Sequence, residues 1–166
     1  MFRNQLQKII NKVGKSYQID PRIPERLIVR SFYIRGIMLL RGLLKLRKKV
    51  FLGKNVTVLN KSNFVLGKNV TIESYTILDG YASDGKGLKM GNNSAIGDYT
   101  HFGAPGGIEI GNDVIMGSYI SFHSENHNFS DTTKLIREQG VTSKGIKLGN
   151  NIWVGAKVTF LDGCIV

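Results

Sequence analysis

The chain has 166 residues, 42% of them hydrophobic, a single cysteine and a net charge of +11. That hydrophobic content excludes disorder driven by composition, and one cysteine excludes an internal disulfide and suits a reducing compartment. No run of 18 apolar residues offers a spanning helix.

The charge is lopsided. Residues 1–50 hold 13 Lys or Arg against 2 Asp or Glu, whereas residues 51–166 hold 10 of each sign. This argues against a uniformly basic nucleic-acid binder. It predicts a neutral domain over 51–166 with a basic attachment over 1–50. The start, MFRNQLQKII, lacks an apolar run ending in small residues, so a cytoplasmic location is expected.

Residues 1–49 read as helical. A short helix is expected at about residues 2–14, broken from a second by Pro21 and Pro24, and Pro24 suits a first helical turn. Beyond it, Leu27, Ile34, Met38 and Leu46 recur at helical spacing, with Leu39, Leu40, Leu43 and Leu44 widening the stripe. Arg26, Arg30, Arg35, Arg41, Lys45, Arg47, Lys48 and Lys49 are interspersed, as in an amphipathic basic helix over 24–49. Such a helix can lie on an anionic membrane surface, which would make the protein peripheral on the inner face. It can equally cap the open N-terminal end of the domain that follows.

From Leu52 a six-residue phrase takes over. An aliphatic or Met residue, then Gly, then two polar residues occurs at Leu52, Leu66, Met90, Ile110 and Leu148, with softer copies at Ile96, Phe102, Met116 and Val154. This period is that of a parallel β-helix, whose coils place the hexad residue inward and a smaller residue inward four positions later. The second set is Val56, Val70, Ser94, Thr100, Val114, Ile120, Ile152 and Val158. Eighteen residues make one three-sided coil. Against that length, the gap from Leu66 to Met90 holds a six-residue insertion near 84–89. The gap from Ile110 to Leu148 holds a 20-residue excursion, Asn128 to Lys147, directly after His127. Long loops in compact domains are usually functional.

These hexads, the segment SENHNFSD (Ser124–Asp131) and LGNNIWVGAKVTFLDGCIV after the excursion resemble the hexapeptide-repeat acyltransferases. The branch matched is that of maltose, galactoside and polysaccharide O-acetyltransferases. The resemblance implies an all-β fold, a left-handed parallel β-helix with an N-terminal helical segment. It also implies a homotrimer with sites in clefts between subunits, acetyl-CoA as co-substrate, a sugar or glycan acceptor, and no metal.

By the same resemblance His127 is the general base that removes the acceptor's proton. The chemistry suits the residue, because a neutral imidazole can take the proton of a poor nucleophile as the new bond forms. Asn126 and His123 are candidate acceptor-side residues, Asn126 being read at an inward hexad position. Trp153 stands where other coils place Thr, Ala or Ile, and belongs to the acceptor cleft or packs under the excursion. Gly155, Ala156 and Lys157 are candidates for binding the co-substrate.

The chain departs from the branch at about Gly97–Asp98, where sugar-binding relatives carry Asn. That departure, together with the basic helix, shifts the expected acceptor from a simple sugar to a surface polysaccharide or its lipid-linked precursor. The repeat stops in mid-coil at Val166, so the β-helix is expected to be C-terminally truncated here. N-acetylation of a nucleotide-linked amino sugar and a non-catalytic β-helix scaffold are the alternatives.

Overall fold

A computed structural model describes residues 25–82 and 86–166. The helix expected at residues 2–14, the Pro21–Pro24 break and part of the 84–89 insertion lie outside them. The chain divides into two units, Met1–Ile37 and Met38–Val166. Helix α1 runs Glu25–Leu46. In the first unit Leu27, Phe32, Tyr33 and Ile34 are exposed on it.

In the second unit the end of α1 is packed down. Met38 and Leu46 are buried, and Leu46 joins the core. Gly42 sits so close to Val50 that an added Cβ would lie 2.0 Å from its carbonyl oxygen. Lys45 donates from Nζ to the carbonyl of Val56. The helix stops three residues short of the expected end, where Arg47 takes a left-handed φ of 55°. These last turns therefore cover the first coil, as the capping expectation required.

The rest of the unit is a three-sided parallel β-helix. One sheet stacks β1 (Phe51–Leu52), β4 (Thr71–Ile72), β7 (Ala95–Ile96), β10 (Ile115–Met116) and β15 (Trp153–Val154). A second stacks β2 (Thr57–Leu59), β5 (Ile77–Asp79), β8 (His101–Gly103), β11 (Ser121–His123) and β16 (Thr159–Leu161). A third stacks β3 (Phe64–Leu66), β6 (Leu88–Met90), β9 (Ile108–Ile110) and β14 (Ile146–Leu148). Pairing within all three is parallel, with Leu66, Met90, Ile110 and Leu148 in one register.

Of the nine hexad residues named above, all but Leu66 are buried, and Leu66 packs partly buried against the core. Phe102 stacks on Phe122 at 4.6 Å between centroids, and Phe122 on Phe160 at 4.9 Å. Such pairs add about 0.5–1.5 kcal/mol beyond their burial. The inward polar residues are satisfied: Ser94 Oγ donates to the Gly111 carbonyl at 3.0 Å, and Thr100 Oγ1 to the Gly97 carbonyl at 3.0 Å. Val50, Phe64, Leu78, Leu88, Ala104, Ile108 and Ile146 also join the core, outside the two sets read from the hexads.

Gly53, Gly67, Gly91, Gly97, Gly111 and Gly117 serve the stack rather than the bend. A Cβ on Gly91 would lie 2.5 Å from the backbone of Gly111 one coil on. The bend itself is made by Asn69, Asn93, Asp113 and Asn151, all at φ between 55° and 58°. Asn and Asp tolerate this left-handed region better than other side chains. They form a ladder, with Asn69 Nδ2 donating to Asn93 Oδ1 and Asn93 Nδ2 to Asp113 Oδ1.

Candidate active site

The largest break in the stack carries His127. Strand β12 (Asn126–His127) pairs antiparallel with β13 (Val141–Thr142), His127 facing Val141 and Asn126 facing Thr142. The repeat resumes at Ile146, paired with Ile108, so the excursion is a hairpin over 126–145 rather than a loop over 128–147. Asn126 is exposed, not inward. As a member of an antiparallel pair it has left the coil. His127 is exposed beside it.

Polar contacts hold the hairpin together. Gln139 Nε2 donates to the carbonyls of Asp131 (2.9 Å) and Lys134 (3.1 Å), and its Oε1 accepts from the Asp131 N–H at 3.0 Å. Asn128, next to His127, donates from Nδ2 to the Gln139 carbonyl at 3.0 Å and from its N–H to the Gly140 carbonyl at 3.0 Å. The apolar side chains Phe129, Leu135, Ile136 and Val141 are exposed. The root is tighter. Ser124 is fully buried and its Oγ donates to the Gly103 carbonyl while accepting from the Gly106 N–H, both at 3.0 Å. At the other end Asp162 Oδ1 accepts from the N–H groups of Lys144 (2.7 Å) and Gly145 (2.8 Å).

His123 lies on the outer face of the second sheet and is exposed. Its ring centroid is 5.8 Å from that of His101, whose strand neighbour is Ser121. The two rings meet because Gly103, opposite His123, has no side chain between them. A Cβ there would be 3.3 Å from His101 Cε1. Burial holds the His101 imidazole below its ordinary pKa of 6.5, and His123 pushes it the same way, against the opposing pull of Asp79. Asp79 Oδ1 is engaged elsewhere, accepting from Asn60 Nδ2 at 2.8 Å and the Tyr81 N–H at 3.0 Å. His101 is not among the residues singled out from the sequence. The signal that could have found it is the 20-residue step between Ser121 and His101, which puts His101 and His123 on one outward face.

Trp153 is 80% exposed on the first sheet, beside Ile115. It does not pack under the hairpin. Gly155, Ala156 and Lys157 form the corner between β15 and β16. A Cβ on Gly155 would meet nothing within 4 Å, Ala156 and Lys157 are exposed, and Lys157 takes a φ of 62°. Within one chain, the hairpin of His127 leaves from the second sheet and Trp153 stands on the first. Among the described residues no group of three His, Cys, Asp or Glu could hold a metal ion.

No family model matches the chain. A probable acetyltransferase of Mycobacterium tuberculosis is 28% identical over 129 residues, covering 72% of this chain and 40% of that protein. The chain therefore spans about two fifths of the length of that curated relative. Among solved structures, it is similar to AntD, an N-acyltransferase from Bacillus cereus, in complex with dTDP and 3-hydroxybutyryl-CoA. The TM-score is 0.58 at 21% identity, covering 76% of this chain and 70% of AntD. A point variant of AntD bound to dTDP-4-amino-4,6-dideoxyglucose and coenzyme A gives 0.57 at 18% identity, covering 76% and 71%. The fold is a left-handed parallel β-helix.

The lowered pKa of His101 has a consequence for stability. The unfolded chain binds this proton more readily than the folded one, so the contribution of neutral His101 is complete above pH 6.5 and is lost as pH falls below it. The melting temperature should drop between about pH 7 and about pH 5, and drop less in His101→Gln. Equal drops in both proteins would show that His101 titrates freely.

Proposed function

We propose that the chain is an acetyl-CoA-dependent acetyltransferase acting on a sugar hydroxyl of a surface polysaccharide or its lipid-linked precursor. The observation that carries this reading is the interruption of an otherwise regular stack by a hairpin that holds a histidine, His127, in the open. When bound, acetyl-CoA supplies an activated acyl carbon and a thiolate leaving group. The chain's own part is proton handling and placement. His127 accepts the acceptor's proton as its oxygen bonds to the acyl carbon, and returns that proton to the departing sulfur. Asn126, His123 and Trp153 line the acceptor side. Gly155, Ala156 and Lys157 fit the co-substrate: the corner is open, small and bears one cation.

The parts of this site stand on two different sheets of one chain. This favours a homotrimer, in which a cleft between neighbours brings the hairpin of one copy against the 153–157 corner of another. The basic segment over 24–49, of which α1 is the helical part, suits an anionic membrane surface. Leu40, Leu43 and Leu44 are exposed on it beside Arg41 and Lys45, and no helix among the described residues is long and apolar enough to cross a membrane. The second reading, N-acetylation of a nucleotide-linked amino sugar, is favoured by the dTDP and amino-sugar complexes of AntD.

Incubation with acetyl-CoA and a panel of hydroxyl and amino sugars, free, nucleotide-linked and lipid-linked, separates the readings by product mass. O-acetylated product is expected, with turnover lowered by about 10²-fold or more in His127→Ala. Turnover close to wild type in that variant would remove His127 from the base role, and absence of any coenzyme A binding would favour a scaffold. The chain should also co-sediment with anionic vesicles and not with neutral ones, and equal recovery with both would refute the membrane role.

A further inference from the structure

The corner between the first and second sheets carries a row of tyrosines. Tyr75, Tyr99 and Tyr119 hold the same place on successive coils, and their rings stack with centroids 4.9 and 5.0 Å apart and planes 3° from parallel. All three lie at positive φ, 61°, 57° and 63°. A bulky side chain is an outlier in that region. The corner itself demands the conformation, since Asn55 and Lys157 share it one coil before and one coil after. It does not demand tyrosine, because the corner of Asn69, Asn93 and Asp113 meets the same demand with small polar side chains.

Stacking offsets the strain of the three rings but does not bury them. Exposure rises along the row, from 38% at Tyr75 through 48% at Tyr99 to 53% at Tyr119. The ring faces are turned along the β-helix axis, toward one another. The row therefore offers edges and phenol groups at a pitch of one coil. Lys54 Nζ lies 5.5 Å from the Tyr75 centroid at one end. At the other end the Lys157 N–H donates to the Ser118 carbonyl at 3.0 Å, which seats Tyr119 one coil from the 155–157 corner.

This chemistry selects among chain-like ligands. Single-stranded nucleic acid needs open ring faces and a basic groove, whereas these faces meet each other and Asp98 stands beside Tyr99. An added β-strand needs open backbone groups, and the N–H groups of the three tyrosines already donate to the carbonyls of Lys54, Ser74 and Asp98. A glycan needs neither. Its hydroxyls can pair with phenol hydroxyls, which both donate and accept, its C–H groups can lie against ring edges, and its repeated units suit a contact repeated coil by coil. We infer that Tyr75, Tyr99 and Tyr119 form a binding strip for a chain of sugars, laid along the β-helix axis and leading into the 155–157 corner. The inference rests on the acetyltransferase reading and adds that the acceptor is engaged over several units.

A printed array of bacterial surface glycans of one to six units tests this, probed with the wild-type chain and with Tyr75→Asn, Tyr99→Asn and Tyr99→Phe. Asn tolerates the φ of the corner, and Phe keeps the stack while removing one hydroxyl. The wild type should retain glycans of three or more units and not single sugars, because one sugar reaches one ring. Titration calorimetry with a retained glycan should show affinity lowered about threefold to tenfold in Tyr99→Phe, as for one lost hydrogen bond, and at least as much in the Asn variants. Coenzyme A affinity should match wild type in all three, and so should the melting temperature of Tyr99→Phe, which separates a ligand contact from a role in the fold. Retention indifferent to chain length, unchanged affinity in all three variants, or no glycan retained would each overturn the inference. The acetyltransferase reading fails separately, if retained glycans bind but none is acetylated from acetyl-CoA.

Discussion

The backbone ladder between successive coils is the constraint on which everything else depends. Each coil hands its N–H groups to the carbonyls of the next, as from Thr71 to Ser94, Ala95 to Val114 and Ile115 to Ile152. Register is therefore shared by all coils, and no residue can be added inside a face without breaking bonds on both sides. Glycine follows from the same spacing, because coils that approach this closely leave no room for a Cβ at positions such as Gly91. Insertions are tolerated only where they leave the stack at a corner. The 126–145 hairpin does so, which is why a long excursion coexists with an undisturbed core.

Leaving the stack changes what holds a segment together. Inside the coils, burial and aromatic stacking dominate. In the hairpin the side chains are exposed, and the shape rests on hydrogen bonds converging on Gln139 and Asn128. Each such bond is worth about 0.5–1.5 kcal/mol net, so this segment belongs to the low-stability end of the molecule. Ser124 and Asp162 fasten its two ends to the stack.

Much of this was legible in the sequence, because a six-residue period maps directly onto inward positions. Leu52, Ile72, Ile96, Met116 and Val154 fall in one register as the hexads require. Leu78, Leu88, Ile108 and Ile146 escaped because their hexads lack the Gly that marks the others, or lie beside insertions. Asn126 was misplaced inward, since a hexad count carried past Ser124 cannot register that the chain has turned into an antiparallel pair. The meeting of His101 with His123 is set by coil length and stacking. Residues 22 positions apart have no local signal that joins them.

The central claim is that the hairpin of His127 and the 153–157 corner together form the place where substrates bind. Hydrogen–deuterium exchange of the chain, with and without coenzyme A and a diphosphate sugar, tests it most directly. The account predicts slowed exchange in peptides covering residues 126–145 and 153–157, with the coils from Phe51 to Asp79 unchanged. Protection confined to those early coils, or to α1, with the hairpin exchanging as before, would contradict it.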